Sequence, residues 1–227
     1  MPNSESNFIR TILLLSVCFA LSGSTSSLTV SASSLVGYEI AGNKALATLP
    51  LSFHLLGTML AGIPASLLMK RVGRRYGFMI GTGIGVSGAV AAALSIIYSS
   101  FVFFCMSMFL LGILIGFSQL YRFTAVEVAN RKFRSKAISL VMFGGIIAGF
   151  IGPTVAAQAK DLIADAPFAG SYLFIIMLHI LVFTVLFMIR LPQPSVEELT
   201  GESRHWKEIF RQPKIIVAVL TSMIGYA

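Results

Sequence analysis

The chain has 227 residues, of which 56% are hydrophobic and only 11% are charged, and its mean hydropathy is +0.86. A soluble domain averages about a quarter charged residues, so this composition excludes an ordinary soluble protein and predicts an integral membrane protein. The net charge of +8 does not indicate nucleic-acid binding, because the cations lie in short loops between apolar segments. No nucleic-acid partner is therefore expected.

The first apolar segment, residues 11–38, carries no charge and is long enough to span a bilayer, which takes about 20 residues. It follows a short polar start, residues 1–10. A cleaved signal peptide is the alternative for its first half, but the uncharged stretch continues past any cleavage point. Its second half is rich in Ser and Thr, including Ser27. These hydroxyls either allow close helix packing or face water or substrate.

The rest of the chain repeats this pattern of apolar segments separated by polar loops. Six spanning helices are predicted, over about residues 11–38, 45–69, 77–98, 101–129, 137–159 and 170–189. Residues 215–227 are apolar and begin a seventh helix, but 13 residues give only about 20 Å of helix against a hydrocarbon core of about 30 Å. We therefore expect an all-α integral membrane protein, a six-transmembrane-helix bundle plus the start of a seventh helix, and an N-terminal fragment of a longer chain.

A basic turn separates the second and third predicted helices. Lys70, Arg71, Arg74 and Arg75 lie between residues 45–69 and 76–121, which contain no Asp, Glu, Lys or Arg. Because charge is costly in hydrocarbon and basic loops remain on the cytoplasmic side, this stretch predicts a tight cytoplasmic turn. Gly73 permits the sharp backbone reversal that such a turn needs.

The basic residues also predict the orientation. With the N-terminus inside, all Lys and Arg residues except Lys44, Lys160 and Arg122 belong to the cytoplasmic side. The reverse orientation would place nearly all of them outside, against the positive-inside rule. We expect a multi-pass protein of the cell (inner) membrane, with its N-terminus in the cytoplasm and the lipid bilayer as its surroundings.

The basic turn resembles a motif of major facilitator superfamily transporters, which place Gly, three residues, then Asp-Arg-any-Gly-Arg-Arg or Lys between their second and third helices. The matching residues are Arg71, Gly73, Arg74 and Arg75. Ser66 stands where the family has Gly, and Lys70 stands where it has Asp. The family's Asp helps to latch the two halves of the transporter together, and Lys70 cannot supply that chemistry.

The end of the fourth predicted helix continues the resemblance, with Glu127 shortly before a second basic loop. In the family this carboxylate pairs with the Arg that follows the turn glycine, so the resemblance implies a gating contact between Arg74 and Glu127 that bridges helices 2 and 4. The alternative is a solvated interfacial carboxylate.

The fifth predicted helix contains Gly152 and Pro153, which resemble the family's Gly-Pro motif, often found in exporters. Ala156 and Ala157 replace the expected glycine pair. The small residues of this helix predict a flat face against a neighbour, expected to be a helix of the second half. The alternative is a helix that simply packs well.

Several polar residues within the predicted spans are candidates for a central cavity. The family's Arg early in helix 4 is replaced here by Met108, and Arg122 appears later in that span with Gln119 nearby. Arg122 either attracts an anionic substrate group or extends its side chain to the headgroups. His54 and His179 are expected near the midplane, where an imidazole either carries protons or makes a packing hydrogen bond.

The resemblance implies a secondary transporter that moves a small solute by alternating access, as a symporter or antiporter driven by a proton or ion gradient. The expected domains are residues 1–190 (six-helix domain), 191–214 (cytoplasmic linker) and 215–227 (start of the second half). The expected partners are a small-molecule substrate and the C-terminal half of the same transporter. No cofactor, metal or catalytic residue is expected, since the sequence carries no HExxH motif or nucleotide-binding loop. The alternative is a complete six-helix structural or channel protein.

Overall fold

The computed structural model describes residues 2–189 together with Leu191, Val217 and Thr221. The chain divides into two compact units, residues 1–194 and 195–227, and the description below concerns the first. The predicted linker and seventh helix lie outside the described residues, apart from the three residues just named. Within residues 2–189 the regular structure is entirely helical, and six helical spans are long and apolar enough to cross a membrane. The predicted all-α membrane bundle is confirmed.

Seven α-helices build these six spans, because the fourth span consists of two helices. They are α1 (Pro2–Ile40), α2 (Leu49–Val72), α3 (Arg74–Ile97), α4 (Phe101–Ser118), α5 (Tyr121–Val128), α6 (Arg134–Gln158) and α7 (Ala169–Met188). Short 3-10 turns, Lys44–Leu46 and Arg131–Phe133, precede α2 and α6. We call the end of the bundle that carries the α2–α3 and α5–α6 turns the basic end, and the other the far end.

The six predicted spans are confirmed to within a few residues, and the structure adds three details. The polar start is helical, since α1 begins at Pro2. The second span opens with the 3-10 turn Lys44–Leu46, and its α-helix begins at Leu49, where Pro50 suits the first turn because it lacks a backbone N–H. The fourth span is interrupted after Ser118 by a two-residue turn, Gln119 and Leu120, where the Leu120 N–H donates to the Phe117 carbonyl at 3.1 Å in a 3-10 pattern.

Glycines bring α2 and α4 into very close contact. A Cβ atom on Gly112 would lie 2.0 Å from the carbonyl oxygen of His54, and one on Gly57 would lie 2.3 Å from that of Phe109. The Thr58 hydroxyl donates across the crossing to the Gly112 carbonyl at 3.1 Å. Because lipid tails are as apolar as Leu side chains, helices in a membrane associate through such close packing and interhelical hydrogen bonds.

Glycines also allow close contact at the crossing of α1 and α6. A Cβ atom on Gly152 would lie 2.6 Å from the backbone nitrogen of Leu28, and one on Gly144 would lie 2.6 Å from the Ser16 carbonyl oxygen. Ser16 donates from its hydroxyl to the Leu140 carbonyl at 2.7 Å. The small-residue face of the fifth span therefore packs on α1, and the expectation that it faces a partner outside the bundle is wrong.

The faces that α2 and α6 leave open are bulky and apolar. In the most apolar 18-residue stretch of each of these two spans, only 22% is buried inside the bundle, against 44% or more in the other four spans. The open residues with an exposed fraction of at least 70% are Met59, Ile63 and Phe150. Gly57 on α2 and Gly144 and Gly152 on α6 lie at the crossings with α4 and α1, whereas these large side chains lie on the open faces.

The buried side chains form two apolar clusters, one toward each end of the bundle. The basic-end cluster includes Phe19, Phe78, Tyr121 and Val182. The far-end cluster includes Leu28, Phe104, Tyr172 and Ile175. Both α1 and α7 have residues in each cluster. The residues of each helix that lie between its two sets of cluster residues are therefore in the middle of the bundle.

Candidate functional site

A single residue, Gly73, forms the turn between α2 and α3. Its backbone dihedrals are φ 88° and ψ 156°, a conformation that residues with a Cβ atom rarely adopt. Its N–H donates to the Met69 carbonyl at 3.0 Å, and its carbonyl accepts from Gly77 N–H at 3.0 Å. One residue therefore closes one helix and opens the next, which places the neighbouring arginines at fixed positions on the basic end.

Arg74 and Glu127 form a bidentate ion pair. The Nε of Arg74 donates to Oε2 of Glu127 at 3.0 Å, and Nη2 contacts Oε1. The contact that the sequence suggests is present, but its placement is corrected: Arg74 opens α3 and Glu127 lies on α5, so it joins the third span to the fourth. The two side chains are 23% and 44% exposed, so the pair is reachable by water and easy to break.

Arg75 makes a contact that sequence reasoning missed. Its Nε donates to the Leu186 carbonyl at 3.0 Å and its Nη2 donates to the Phe187 carbonyl at 2.9 Å. These carbonyls belong to the last turn of α7, where the helix leaves acceptors without a partner and where a cation is favoured. Spacing in the sequence does not reveal it, because the two contacts span 111 and 112 residues. Arg71 is exposed at the same end.

Gln119 and Arg122 lie at the interruption of the fourth span. Gln119 follows the last residue of α4, and Arg122 is the second residue of α5. Arg122 is half-buried, its guanidinium lies 5.1 Å from the ring centroid of Phe123, and its Nε is buried without a hydrogen-bond partner among the described residues. A guanidinium N–H without an acceptor is available to a ligand oxygen.

The two histidines are fully buried on different helices. His54, on α2, is 1% exposed at the crossing with α4, and its Nδ1 has no partner among the described residues. His179, on α7, is 0% exposed, and its Nδ1 lies 2.8 Å from the Ile175 carbonyl oxygen. His179 is ten residues from the start of α7, which corresponds to about 15 Å of helix.

Ser27 lies on the side of α1 that faces α6. A Cβ atom on Gly152 would come within 2.6 Å of the Ser27 Cβ, so this serine lies in close packing. Pro153 follows Gly152 inside α6, and the helix continues through it. Three other hydroxyls of this part of α1, those of Ser24, Thr29 and Ser31, donate within the helix, as Thr29 does to the Thr25 carbonyl at 2.8 Å.

The candidate residues therefore fall into separate groups. The structure brings Arg74 and Glu127 together at the basic end and places Arg75 beside them on α3. It does not bring the two histidines together, since α2 packs mainly on α4 whereas α7 packs mainly on α3 and α1. The arrangement offers a polar link among three spans at one end and buried polar groups in the middle.

Comparison with known sequences identifies the relatives of this chain. The family profile described as Major Facilitator Superfamily matches residues 13–227. The Riboflavin transporter RfnT of Brucella anthropi is 37% identical over 222 residues, which is 96% of this chain and 55% of that protein. The Uncharacterized MFS-type transporter YdeG of Bacillus subtilis is 26% identical over 202 residues, covering 88% of this chain and 47% of that protein. The chain thus spans about half the length of the curated relatives that it matches.

Proposed function

The chain belongs to the Major Facilitator Superfamily, and from this premise we propose that it acts in a transmembrane secondary transporter that moves a small solute by alternating access. The family match over residues 13–227 is the observation that carries this proposal. The six helical spans and the transporter names of the relatives support it. In such a mechanism two halves rock around a central site near the membrane midplane, driven by a proton or ion gradient.

The proposed substrate class is riboflavin or a related flavin. The relative that carries the name of riboflavin transporter is 37% identical and aligns with 96% of this chain. A flavin presents ring carbonyls and a chain of hydroxyls, and these groups need hydrogen-bond donors as well as flat apolar surface. Arg122 supplies such a donor, because its Nε is buried and unpaired among the described residues. We propose Arg122 and Gln119 as substrate contacts, with Ser27 and His54 as further candidates.

The second half of the transporter is the proposed partner for α2 and α6. Their open faces carry Met59, Ile63 and Phe150, each at least 70% exposed. These two spans are also the least buried of the six. The linker 191–214 and the segment 215–227 are proposed to lead into that half.

The proposed gate is the link at the basic end, which the positive-inside rule places in the cytoplasm. Arg74 and Glu127 are partly exposed, and Arg75 holds the last turn of α7. Breaking the ion pair would release α5 from α3 while leaving the helices intact. A contact that forms and breaks at modest free-energy cost suits a part that must open in every cycle.

Transport of riboflavin by the protein expressed from its complete reading frame tests this function. The purified protein is reconstituted in liposomes, and exchange of labelled riboflavin across the membrane is compared with protein-free liposomes. The Arg122→Ala variant removes the unpaired donor, and Lys132→Ala removes an exposed cation at the same end as the matched control. We expect exchange by the native protein and the control, and at least a tenfold loss for Arg122→Ala, corresponding to about 1.4 kcal/mol.

Each outcome has a distinct meaning. Absence of exchange for riboflavin and for a panel of other metabolites would contradict the transporter proposal. Exchange of another metabolite but not riboflavin would contradict the flavin proposal alone. Equal exchange by Arg122→Ala and Lys132→Ala would remove Arg122 from the substrate contacts and favour the alternative in which its side chain reaches the headgroups. A conductance for small ions without exchange would favour the channel alternative.

A further inference from the structure

The middle of the bundle contains a layer of polar side chains between the two apolar clusters. We call Ser22 and Thr25 on α1, Thr82 on α3 and His179 on α7 the inner polar layer. Each of the four is at most 1% exposed. In a medium without water a buried polar group costs free energy unless it is hydrogen-bonded, so the bonds that these four side chains make decide what the layer can do.

The two clusters place His179 at the same depth as the hydroxyls of α1. His179 lies between Ile175 of the far-end cluster and Val182 of the basic-end cluster. On α1 the residues between Phe19 of the basic-end cluster and Leu28 of the far-end cluster include Ser22 and Thr25. Since α7 packs against α1 and α3, the layer is shared by three helices.

The hydrogen bond of His179 defines which ring nitrogen carries the proton. A carbonyl oxygen only accepts hydrogen bonds, so Nδ1, which lies 2.8 Å from the Ile175 oxygen, carries the hydrogen. In the neutral ring Nε2 is then a bare acceptor. It is buried and has no hydrogen-bond partner among the described residues. The lone pair of Nε2 therefore lies in the interior of the bundle, and the hydrogen bond at Nδ1 fixes the orientation of the ring.

The neighbouring hydroxyls are also incompletely bonded. Ser22 Oγ and Thr25 Oγ1 have no hydrogen-bond partner among the described residues, and they lie three residues apart on one face of α1. The Tyr121 hydroxyl lies beside Cys18, Ser22 and Thr82, although the Ser22 hydroxyl does not meet hydrogen-bond geometry. Buried water commonly completes the bonds of such groups.

No carboxylate faces the layer from the described part of the chain. The buried titratable groups on the helices around α7 are Cys18 on α1, Cys105 near the start of α4 and Tyr121 at the start of α5, with Tyr172 near the start of α7 itself. The charged groups of the described helices around it lie toward helix ends or on the short α5: Arg10, Glu39, Arg74, Arg75, Arg122, Glu127, Arg134 and Lys136. The Tyr172 hydroxyl is directed to the Met108 sulfur at 3.8 Å. Nε2 of His179 is therefore the strongest proton acceptor of the layer, and a proton bound there has no counterion to hold it permanently.

We propose that Nε2 of His179 is the binding site for the proton coupled to transport, and that water held by Ser22 and Thr25 delivers that proton. A hydrated proton transfers to the Nε2 lone pair, which gives an imidazolium with hydrogens on both nitrogens and leaves a neutral water. Release is the reverse transfer, when the layer opens to the other side. This inference rests on the proposed transport function, since it names the coupling ion and its site.

The test separates proton coupling from substrate movement by using two measurements on the same reconstituted full-length protein. Riboflavin exchange at equal pH requires only substrate movement. Riboflavin accumulation driven by an imposed pH gradient, applied in either direction, requires proton coupling as well. His179→Gln removes the titratable nitrogen and keeps a polar side chain, and Tyr172→Phe removes another buried polar group of α7 as the matched control.

For one proton per substrate, one unit of pH gradient supports about tenfold accumulation. We expect the native protein and Tyr172→Phe to reach it, and His179→Gln to exchange riboflavin within twofold of native while its accumulation ratio falls to about 1. Gradient-driven accumulation by His179→Gln at the native level would overturn the proposal. So would native exchange without any response to a pH gradient, although the transport function would then stand.

Two further results have defined meanings. Loss of exchange as well as accumulation in a His179→Gln protein that melts like native would show that the residue serves transport itself and would overturn the proton role. Absence of exchange in the native protein would remove the transport function on which the proposal rests. The double variant Ser22→Ala with Thr25→Val tests the water. We expect weaker gradient-driven accumulation without added thermal stability, and a clear gain in stability would instead indicate a dry layer and overturn the water delivery.

Discussion

The helix crossings and the basic end hold the same spans together in different ways. At the crossings of α2 with α4 and of α1 with α6, backbones meet at glycines with no room for a methyl group. At the basic end, long side chains reach across water-accessible space, as in the pair of Arg74 with Glu127. The crossings tolerate no added volume, whereas the polar contacts can part without repacking the helices. The bundle thus keeps its rigid contacts and its breakable contacts in separate places.

The largest effect is expected at the α2–α4 crossing. Gly112→Val would place a Cβ atom 2.0 Å from the His54 carbonyl oxygen, so the two helices must separate. We expect a loss of about 3 kcal/mol or more, or failure to fold. A thiol-reactive dye measures this during thermal unfolding, because Cys18 and Cys105 are free and buried. Gly62→Val on α2, where no atom lies within 4 Å of the added Cβ, should melt close to native, and equal losses for both would contradict the close-packing argument.

A smaller effect is expected at the α1–α6 crossing, where only a methyl group is added. Gly152→Ala places a Cβ atom 2.6 Å from the Leu28 nitrogen and from the Ser27 Cβ. We expect a loss of about 1–3 kcal/mol in the same dye assay. Gly149→Ala on the same helix meets no atom within 4 Å and should be neutral or slightly stabilising, since Ala favours the helix over Gly. Native stability of Gly152→Ala would show that this crossing can widen.

We expect the contact of Arg75 with α7 to contribute more to stability than the pair of Arg74 with Glu127. Arg75→Ala removes the donors to the Leu186 and Phe187 carbonyls and a cation at a helix C-terminus. We expect a loss of about 1 kcal/mol, because the carbonyls can regain water at this end. Hydrogen exchange of the last turn of α7 should accelerate while the far-end half of the helix stays protected. Uniform acceleration along α7 would instead indicate that Arg75 stabilises the whole bundle.

The smallest effect on stability is expected for Arg74 and Glu127, whose side chains are 23% and 44% exposed. A double-mutant cycle with Arg74→Gln and Glu127→Gln should give a coupling free energy of about 0.5–1 kcal/mol, lower at high salt. Transport should change more than stability, because the pair is proposed to form and break in the cycle. A coupling free energy of several kcal/mol that does not change with salt would show a buried structural pair. The basic end would then be held as rigidly as the helix crossings.

Much of this architecture is predictable from local sequence. Uncharged stretches of sufficient length predict six spans, because the cost of charge in hydrocarbon acts on each segment by itself. The turn at Gly73 and the partnership of Arg74 with Glu127 follow from a recognisable motif. The interruption after Ser118 was missed, since the uncharged stretch continues through residues 119–121 and hydropathy does not register a break in a helix.

The sequence alone predicts a membrane bundle of six spans with most of its Lys and Arg residues toward one end. Which face of each helix meets which neighbour is seen only in the folded bundle. The glycines of α6 pack on α1 and leave Phe150 open, and Arg75 reaches a helix end 111 residues away. The unpaired nitrogen of His179 likewise became visible only with the fold in place. The physical reason is that hydrophobicity is summed along a segment, whereas the rotation of a helix depends on close packing with residues far along the chain.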